Sequence, residues 1–143
     1  MTVTVRAARD PAEVEAAKEL RIRVFCDEQG VSRDEELDGL DDEATQIVAL
    51  DESGVIATCR LRYPEAGVAK LERMAVEPRL RSAGVGGRLL AGAEEEARRA
   101  GAETMLLHSQ LRAQDFYASH GYEPEGEVFM DARIEHIAMR KAL

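Results

Sequence analysis

The order of strand and helix patterns along the chain predicts an α+β fold (an α/β mixed sheet). Two observations support this prediction. Several short strand patterns, separated by turn-forming residues, lie in the first half of the chain, and a strand–helix–strand–helix order follows them. The sequence of 143 residues contains no internal repeat, low-complexity tract or boundary, so we expect one domain over residues 1–143.

The first part of the chain predicts a strand and then a helix. Valine alternates with polar residues at positions 3–5, as in a half-buried strand. Asp10 is suited to cap a helix and Pro11 to occupy its first turn, and the apolar pattern that follows ends near Gly30. The acidic stretch 32–43 is expected to form an ordered loop or a short helix at the surface.

Two clusters of turn-forming residues divide the next segment into three strands. Asp51–Gly54 separates the strand patterns Gln46–Leu50 and Val55–Tyr63, which predicts a hairpin. A second turn, Pro64–Gly67, leads into a third strand, Val68–Val76.

A longer helix is predicted over residues 85–100, because an apolar stripe runs along it and a glycine follows it. Two pairs with the favourable (i, i+4) spacing, Glu94–Arg98 and Glu95–Arg99, are expected on its solvent side.

The last third of the chain predicts three strands and one helix. Thr104–His108 is a compact apolar strand of the kind that is buried on both faces. Ala113–His120 is expected to be a short helix, and the residues from Tyr122 onward a final antiparallel pair of strands.

Composition argues against several classes of function. Lys plus Arg number 19 and Asp plus Glu 28, a net charge of −9 that argues against a nucleic-acid partner, because phosphate binding depends on clustered positive charge. No apolar run is long enough for a membrane span, and no signal peptide is indicated, so a cytoplasmic location is expected. Cys26 and Cys59 form no CxxC pair, which favours two buried free thiols and no metal site.

The strongest chemical signal is a basic, glycine-rich turn between a strand and a helix, within Val76–Leu90. Free N–H groups at a helix start bind anions, and glycines allow the backbone to approach a phosphate closely. Arg79 and Arg81 can add charge-assisted hydrogen bonds. The turn therefore predicts a phosphate or diphosphate site.

Other interpretations of this turn differ in how well they fit. A Walker A loop requires a Gly-Lys pair, which is absent, and a dinucleotide fingerprint requires a third glycine where Leu89 stands. The pattern Arg-x-x-Gly-x-Gly fits residues 81–86. A glycine-rich helix start that binds no ligand accounts for this motif, taken alone, about equally well.

With this motif the sequence resembles the GNAT superfamily of N-acetyltransferases, which carries Arg/Gln-x-x-Gly-x-Gly/Ala where the coenzyme A pyrophosphate binds. A second segment, Ala113–Tyr122, is similar to the family's A-x-x-F-Y-x-x-x-G-F/Y helix and follows the expected strand. The segments Leu20–Val31, Leu71–Val76 and Ile134–Met139 resemble a narrower, ElaA-like branch. Two departures from these patterns are Gln110, where the superfamily has Asn, and Glu135, where the branch has Pro.

The resemblance implies the GNAT acyl-CoA N-acyltransferase fold, with a mostly antiparallel sheet of six to seven strands and about four helices. It also implies acetyl-CoA as co-substrate, without a metal. In the family the fourth strand splays away from the fifth, and an N–H of its free backbone is expected to serve the developing oxyanion. The residues implied at the cofactor are Met74, Ala75, Val76, Arg81, Ser82, Ala83, Gly84, Val85, Gly86, Gly87, Gln110 and Phe116.

Tyr117 matches the family tyrosine that protonates the coenzyme A sulfur. A phenol has an ordinary pKa of about 10 and is therefore protonated at neutral pH. The alternative is that Phe116 and Tyr117 only pack the helix against the sheet, and Phe116 is interpreted mainly in that way.

Three candidates for the general base remain open. Glu72 lies four residues before Val76 in one strand, so both are expected to point to the same face. Glu72 is equally well explained as a salt-bridge partner of Arg73 or Arg60. His136 is a candidate because an imidazole ordinarily titrates near neutral pH, although a single strand histidine is more often structural. Glu28 ends the first helical region near the expected acceptor cleft.

His108 and His120 are interpreted as structural residues. The acidic run Asp34–Glu43 is expected to be a solvated face, with attraction of a cationic amine as the less favoured alternative.

The sequence thus predicts an acetyl-CoA-dependent N-acetyltransferase that acts on a primary amine by direct attack in a ternary complex. The acceptor is a small molecule or a peptide, with no nucleic acid or membrane as partner, and a homodimer is compatible with the resemblance. A non-catalytic acyl-CoA-binding sensor or partner module stays open because of Gln110 and Glu135. A nucleotide-binding protein is a more distant alternative.

Overall fold

A computed structural model describes residues 2–143, which form one seven-stranded sheet. Its order is β1-β2-β3-β4-β5-β7-β6, and every neighbouring pair is antiparallel except β4–β5, which is parallel. The strands are β1 (Thr4–Ala7), β2 (Thr45–Asp51), β3 (Gly54–Glu65), β4 (Val68–Val76), β5 (Thr104–Gln110), β6 (Glu123–Asp131) and β7 (Ile134–Ala142).

Four α-helices accompany the sheet: α1 (Pro11–Arg21), α2 (Arg33–Glu36), α3 (Val85–Arg99) and α4 (Gln114–Ser119). A π-helical segment, Ile22–Glu28, continues α1, and single 3₁₀ turns lie at Asp41–Glu43, Pro78–Leu80 and Leu111–Ala113. The expected mixed, mostly antiparallel sheet with about four helices is confirmed.

Local sequence explains where the helices begin. The Asp10 side chain accepts a hydrogen bond from the Glu13 backbone N–H at 2.9 Å, which caps α1. Ser32 and Glu35 form a reciprocal capping box at the start of α2. Gly84 precedes α3 with a φ of 79°, in the left-handed region that glycine adopts without strain.

The two long helices cover opposite faces of the sheet. Leu89 of α3 belongs to the larger core, together with Leu107 of β5. On the other face, Leu20 and Val24 pack against Ala75 of β4. This arrangement buries both faces around β3 and β4, beside the candidate site.

One glycine sets the distance between α3 and the sheet edge. A Cβ atom on Gly92 would lie 2.3 Å from Cγ1 of Val5 in β1. No larger residue therefore fits at Gly92 unless the helix or Val5 moves.

β5 is not buried on both faces, so that prediction is wrong. Met105, Leu107 and Ser109 are buried, whereas His108 on the opposite face is exposed. The reason is that β4 and β5 diverge at this point, so the second face of β5 borders a cavity instead of a helix.

The expected surface pair between Glu94 and Arg98 is also wrong. Glu94 lies on the buried stripe of α3 and is 6% exposed. Its carboxylate accepts a hydrogen bond of 2.8 Å from the Tyr122 hydroxyl and two of 3.1 Å from Lys141 Nζ. The partners of Glu94 are therefore Tyr122, just before β6, and Lys141 of β7.

Smaller expectations had mixed outcomes. The Glu95–Arg99 pair is present, at 3.8 Å. Both cysteines are free, but only Cys59 is buried, whereas Cys26 is half-buried in the π-helical segment. Within residues 2–143, no helix has the length and apolar character needed to cross a membrane.

Candidate functional site

β4 and β5 separate halfway along their length. Their parallel pairing covers Val68–Leu71 of β4 and Thr104–Leu107 of β5. Beyond it a cavity of about 730 Å³ occupies the gap between the strands. Within the part of the chain that the structure describes, residues 72–76 and 108–110 have no strand partner across this gap, so backbone groups there can bind a ligand.

A β-bulge at Arg73 interrupts the alternation of β4. Arg73 has a φ of 56°, and the register with β3 passes from Glu72–Arg60 to Ala75–Thr58. Three steps along β4 therefore match two along β3, which is the signature of one extra residue.

The bulge reverses the faces of β4. Leu71 before it packs into the core beneath α3, and so do Met74 and Val76 after it. Glu72 and Ala75 point to the opposite face, toward α1. The expectation that Glu72 and Val76 share a face is therefore wrong, because the simple period of two does not hold across a bulge.

The glycine-rich turn lies at one end of the cavity. No protein atom would lie within 4 Å of a Cβ on Gly84, whereas a Cβ on Gly86 would lie 3.4 Å from both Met74 and Phe116. The first N–H groups of α3 therefore start beside open space. Of the predicted turn residues, those that line the cavity are Arg81, Ser82, Gly84, Gly86 and Gly87. Ala83 and Val85 do not line it, and Val85 is buried in the core.

Arg81 lies at the rim of this turn and is paired with Glu28. Its guanidinium donates hydrogen bonds of 2.6 and 2.7 Å to the Glu28 carboxylate and one of 3.3 Å to the Val76 carbonyl. The hydrogen bond from Arg81 lowers the pKa of Glu28. Arg79 points elsewhere and reaches Ser53 at 3.4 Å. Both partners of the Arg81–Glu28 pair are substantially exposed, so a competing anion can exchange with Glu28 at low cost.

Tyr117 projects from α4 into the cavity. Its hydroxyl donates to the thioether sulfur of Met74 at 3.3 Å. Burial raises the pKa of Tyr117, so the phenol holds its proton at neutral pH. Phe116 packs edge-on against Tyr117, with ring centroids 5.1 Å apart, and also lines the cavity beside Gly86.

Gln110 is the last residue of β5. Its amide nitrogen donates to the Gln29 side-chain oxygen at 2.9 Å, and its own oxygen accepts from Arg112 Nε at 2.9 Å. The side chain thus joins β5 to the end of the π-helical segment.

Comparison with known proteins assigns the family. Residues 11–143 match the family described as the acetyltransferase (GNAT) domain. The chain belongs to the GNAT acetyltransferase family. The predicted resemblance is thereby confirmed across most of the chain.

Similar proteins support the same assignment over nearly the full length. The uncharacterized N-acetyltransferase YjcF of Bacillus subtilis is 38% identical over 135 residues, covering 94% of this chain and 96% of YjcF. A crystal structure from Lactobacillus plantarum, assigned to the N-acetyltransferases, has a TM-score of 0.92 at 31% identity and covers 100% of this chain and 99% of its own.

Two more distant structures share the fold. Escherichia coli ElaA has a TM-score of 0.86 at 23% identity, covering 98% of this chain and 99% of ElaA. A GNAT acetyltransferase of Elizabethkingia anophelis, solved with acetyl-CoA bound, has a TM-score of 0.74 at 15% identity, covering 99% of this chain and 98% of its own.

Glu72 is held by three cations in this GNAT chain. Arg60 donates to it at 2.8 Å, Arg62 donates at 2.9 and 2.6 Å, and Lys70 lies 3.2 Å away. Burial opposes ionisation, but hydrogen bonds from Arg62 and Arg60 and the charge of Lys70 outweigh it and lower the pKa of Glu72 to about 2. A carboxylate with so low a pKa is a weak base at neutral pH.

The two histidines near the cavity differ in their burial and in their contacts. His136 is 9% exposed, and its Nδ1 lies 2.7 Å from the Ile134 carbonyl oxygen. Its ring stacks on Phe129, with centroids 5.8 Å apart. His108 borders the same cavity and meets Phe129 edge-on at 5.0 Å. From the sequence, His108 was interpreted as a structural residue.

The acidic run is a solvated face at five of its seven acidic residues, but Glu36 and Asp41 are withdrawn from solvent into ion pairs. Attraction of a cationic amine to this run stays a prediction. Glu36 is 1% exposed and contacts Arg21 and Arg73, each at 2.5 Å. Asp41 lies 2.6 Å from Arg21 and 3.2 Å from Arg60.

A signal for this network was present in the sequence. Arg21 continues the apolar helical stripe of Ala17, Leu20 and Val24, and an arginine on such a stripe needs a buried anionic partner. The acidic run was the part of the chain able to supply one.

Proposed function

We propose that this protein transfers an acetyl group from acetyl-CoA to a primary amine by direct attack within a ternary complex. The observation that carries the proposal is the gap between β4 and β5. Its cavity is lined by Gly86 and Tyr117 on the α3 side and by His108 and His136 on the other side. Two substrates can therefore meet between the strands from opposite faces of the sheet.

The residues of the α3 side fit coenzyme A. The open turn at Gly84 offers the first N–H groups of α3 to a pyrophosphate, with Arg81 at its rim. The unpaired edge of residues 74–76 can bond an extended pantetheine arm in the way that a neighbouring strand would. The Elizabethkingia structure, with the same fold, holds acetyl-CoA.

Tyr117 is suited to protonate the departing thiolate. Its present acceptor, the Met74 thioether, is a weak one, so a thiolate would replace it readily. The raised pKa keeps the phenol protonated until a stronger base forms beside it. An N–H of residues 74–76 on the open edge would stabilise the negative charge that develops on the carbonyl oxygen.

The proposal is tested by binding and by turnover. Titration calorimetry is expected to show binding of acetyl-CoA, and a panel of primary amines is expected to include at least one that releases free thiol. Absence of binding at millimolar acetyl-CoA would reject the proposal. Displacement by ATP or NAD at similar concentrations would favour a general nucleotide site instead.

The ion pairs of two candidate bases favour one alternative function, a non-catalytic acyl-CoA-binding module. Glu72 is paired with three cations and is therefore a weak base, and Glu28 is paired with Arg81 until an anion takes its place. This alternative predicts binding of acetyl-CoA without thiol release for any amine, peptide or polyamine in the panel.

A further inference from the structure

His108 occupies the point where the two strands part. It directly follows Leu107, the last β5 residue paired with β4. Leu107 points into the core beneath α3, so His108 points to the opposite face, where the acceptor is proposed to enter. Its side chain is exposed and borders the cavity.

The surroundings of His108 hold the ring and leave its nitrogens free. Phe129 of β6 packs edge-on against it, and the same phenyl ring stacks on His136 of β7. Among residues 2–143, no hydrogen bond joins either ring nitrogen of His108 to another group. The ring is therefore oriented by packing, while its lone pair remains available.

The charges that face His108 come from three strands. Partial burial, followed by the positive charge of Lys70 on β4, lowers the pKa of His108. Asp131 of β6 and Glu72 of β4 act in the opposite direction, and His136 of β7 acts with Lys70. The net effect favours the neutral imidazole, which is the form that accepts a proton.

We propose that His108 is the general base that removes a proton from the ammonium form of the acceptor. This inference rests on the proposed function. The three bases considered from the sequence are less suitable. Glu28 lies beside Arg81 at the rim of the cofactor turn, Glu72 is ion-paired with three cations, and one nitrogen of His136 lies against a backbone carbonyl.

The proton balance is closed by water and Tyr117. A ring nitrogen of His108 takes one proton from the ammonium and later passes it to water. The nitrogen lone pair forms the C–N bond while the thioester C–S bond breaks. The sulfur receives the phenolic proton of Tyr117. The new amide nitrogen loses its second proton to water, and the phenolate recovers one from water, so the net release is one proton.

A matched pair of nucleophiles tests this role. An alkylamine is an ammonium ion at pH 7, whereas the O-alkylhydroxylamine of equal length is already neutral and needs no base before attack. His108→Asn is expected to lower kcat/KM for the alkylamine roughly 10²- to 10⁴-fold, and for the O-alkylhydroxylamine less than about tenfold. His108→Gln should behave in the same way, and unchanged melting temperatures check that both variants fold.

The pH dependence supplies a second readout. For the alkylamine, kcat/KM of the wild-type protein should rise with pH through a single ionisation whose pKa lies below the ordinary range of histidine. NMR titration of the His108 ring protons should give the same pKa, and the His108→Asn profile should lack this limb.

Several outcomes overturn the inference. Equal slowing with both nucleophiles in His108→Asn would mean that His108 only shapes the pocket. Retention of the pH limb in that variant, or selective loss of alkylamine turnover in His136→Asn, would assign the base elsewhere. Each of these leaves the proposed function standing. If the wild-type protein acetylates neither nucleophile nor any other amine, the proposed function and this inference both fail.

Discussion

Single residues decide which groups of this protein can take part in chemistry. Glu72 and His108 both border the cavity. Glu72 is ionised and its negative charge is compensated by three cations. His108 favours the neutral form and has no hydrogen-bond partner within residues 2–143. Both charge states are the ordinary ones for these residue types at neutral pH, and the neighbours on β3 and β4 decide that Glu72 is ion-paired. Carboxylates are common general bases, but here a hydrogen-bonded ion pair removes the lone pair that a base needs.

The hydroxyl of Tyr117 is expected to affect turnover and not binding. Tyr117→Phe keeps the ring packed against Phe116 and removes only the proton donor. Because loss of a general acid costs about 10²- to 10⁴-fold, kcat should fall within that range. Calorimetry should give nearly the wild-type affinity for acetyl-CoA. An unchanged kcat would remove Tyr117 from the mechanism.

Arg81 and Glu28 should change cofactor affinity in opposite directions. Arg81→Ala removes a charge-assisted bond to the pyrophosphate, and a bond of that kind contributes about 1.5–3 kcal/mol, so affinity for acetyl-CoA should fall about tenfold or more. Glu28→Gln removes the anion that competes for Arg81, so affinity should stay equal or increase. Calorimetry in parallel measures both effects. A weaker affinity in Glu28→Gln would show that the carboxylate orients Arg81 and does not compete.

At the scale of elements, the contact between α3 and β1 depends on the absence of a side chain at Gly92. Gly92→Ala would place its methyl 2.3 Å from Val5 Cγ1. Overpacking of this kind costs about 1–3 kcal/mol, which exceeds the gain of up to about 1 kcal/mol in helix propensity. Thermal unfolding should therefore occur at a lower temperature.

Val5→Ala provides the matched background for that test. In it the two γ-methyl groups are gone and only the Cβ contact of 3.1 Å remains, so adding Gly92→Ala should cost less stability than it does in the wild-type protein. A double-mutant cycle on the melting data gives the coupling energy directly. Additive effects of the two substitutions would contradict the proposed contact.

The bounds of strands and helices were easier to predict from the sequence than the irregularities within them. The bounds of β4 and the start of α3 were predicted correctly, because turn residues and an apolar stripe mark them locally. The bulge at Arg73 was not predicted, because its position depends on the pairing of β4 with β3 and no local sequence pattern marks it. Likewise, the gap between β4 and β5 followed from the family resemblance and not from composition or spacing.

For the candidate site, the sequence motifs identified the residues near the cofactor better than those near the acceptor. The glycine-rich turn and Tyr117 belong to contiguous sequence motifs, so their chemical roles can be predicted from neighbouring residues alone. His108 depends on its contact with Phe129, twenty-one residues later, and Glu72 depends on arginines in another strand. Such long-range contacts decide whether a group is free or neutralised, and a single sequence does not reveal them.

For the whole molecule, a network of ion pairs links four parts of the chain. It joins α1, the acidic run Asp34–Glu43, β3 and β4 through Arg21, Arg60 and Arg73. Asp38 contributes as well, and the hydrogen bond from Arg60 lowers its pKa. Because buried charges are costly without partners, the network should make stability depend on the ionisation of its carboxylates.

Glu72 offers a direct test of that dependence. Its pKa is about 2 in the folded protein, against 4.5 for an unperturbed glutamate, so folding favours the ionised form. The stabilisation is then fully present above about pH 4.5 and is lost as the pH falls toward 2; it corresponds to about 3 kcal/mol. Glu72→Gln should lower the melting temperature at pH 7 by several degrees, and the difference from wild type should shrink between pH 4.5 and 2.

The matched control for this test is Glu95→Gln, which alters an exposed pair at 3.8 Å that is expected to contribute little at any pH. Melting curves of the three proteins from pH 7 to pH 2 separate the two cases. A Glu72→Gln deficit that stays constant across this range would mean that the side chain stabilises by packing and not by charge. The low pKa of Glu72 would then be wrong, and the argument that removes Glu72 as a base at neutral pH would fail with it.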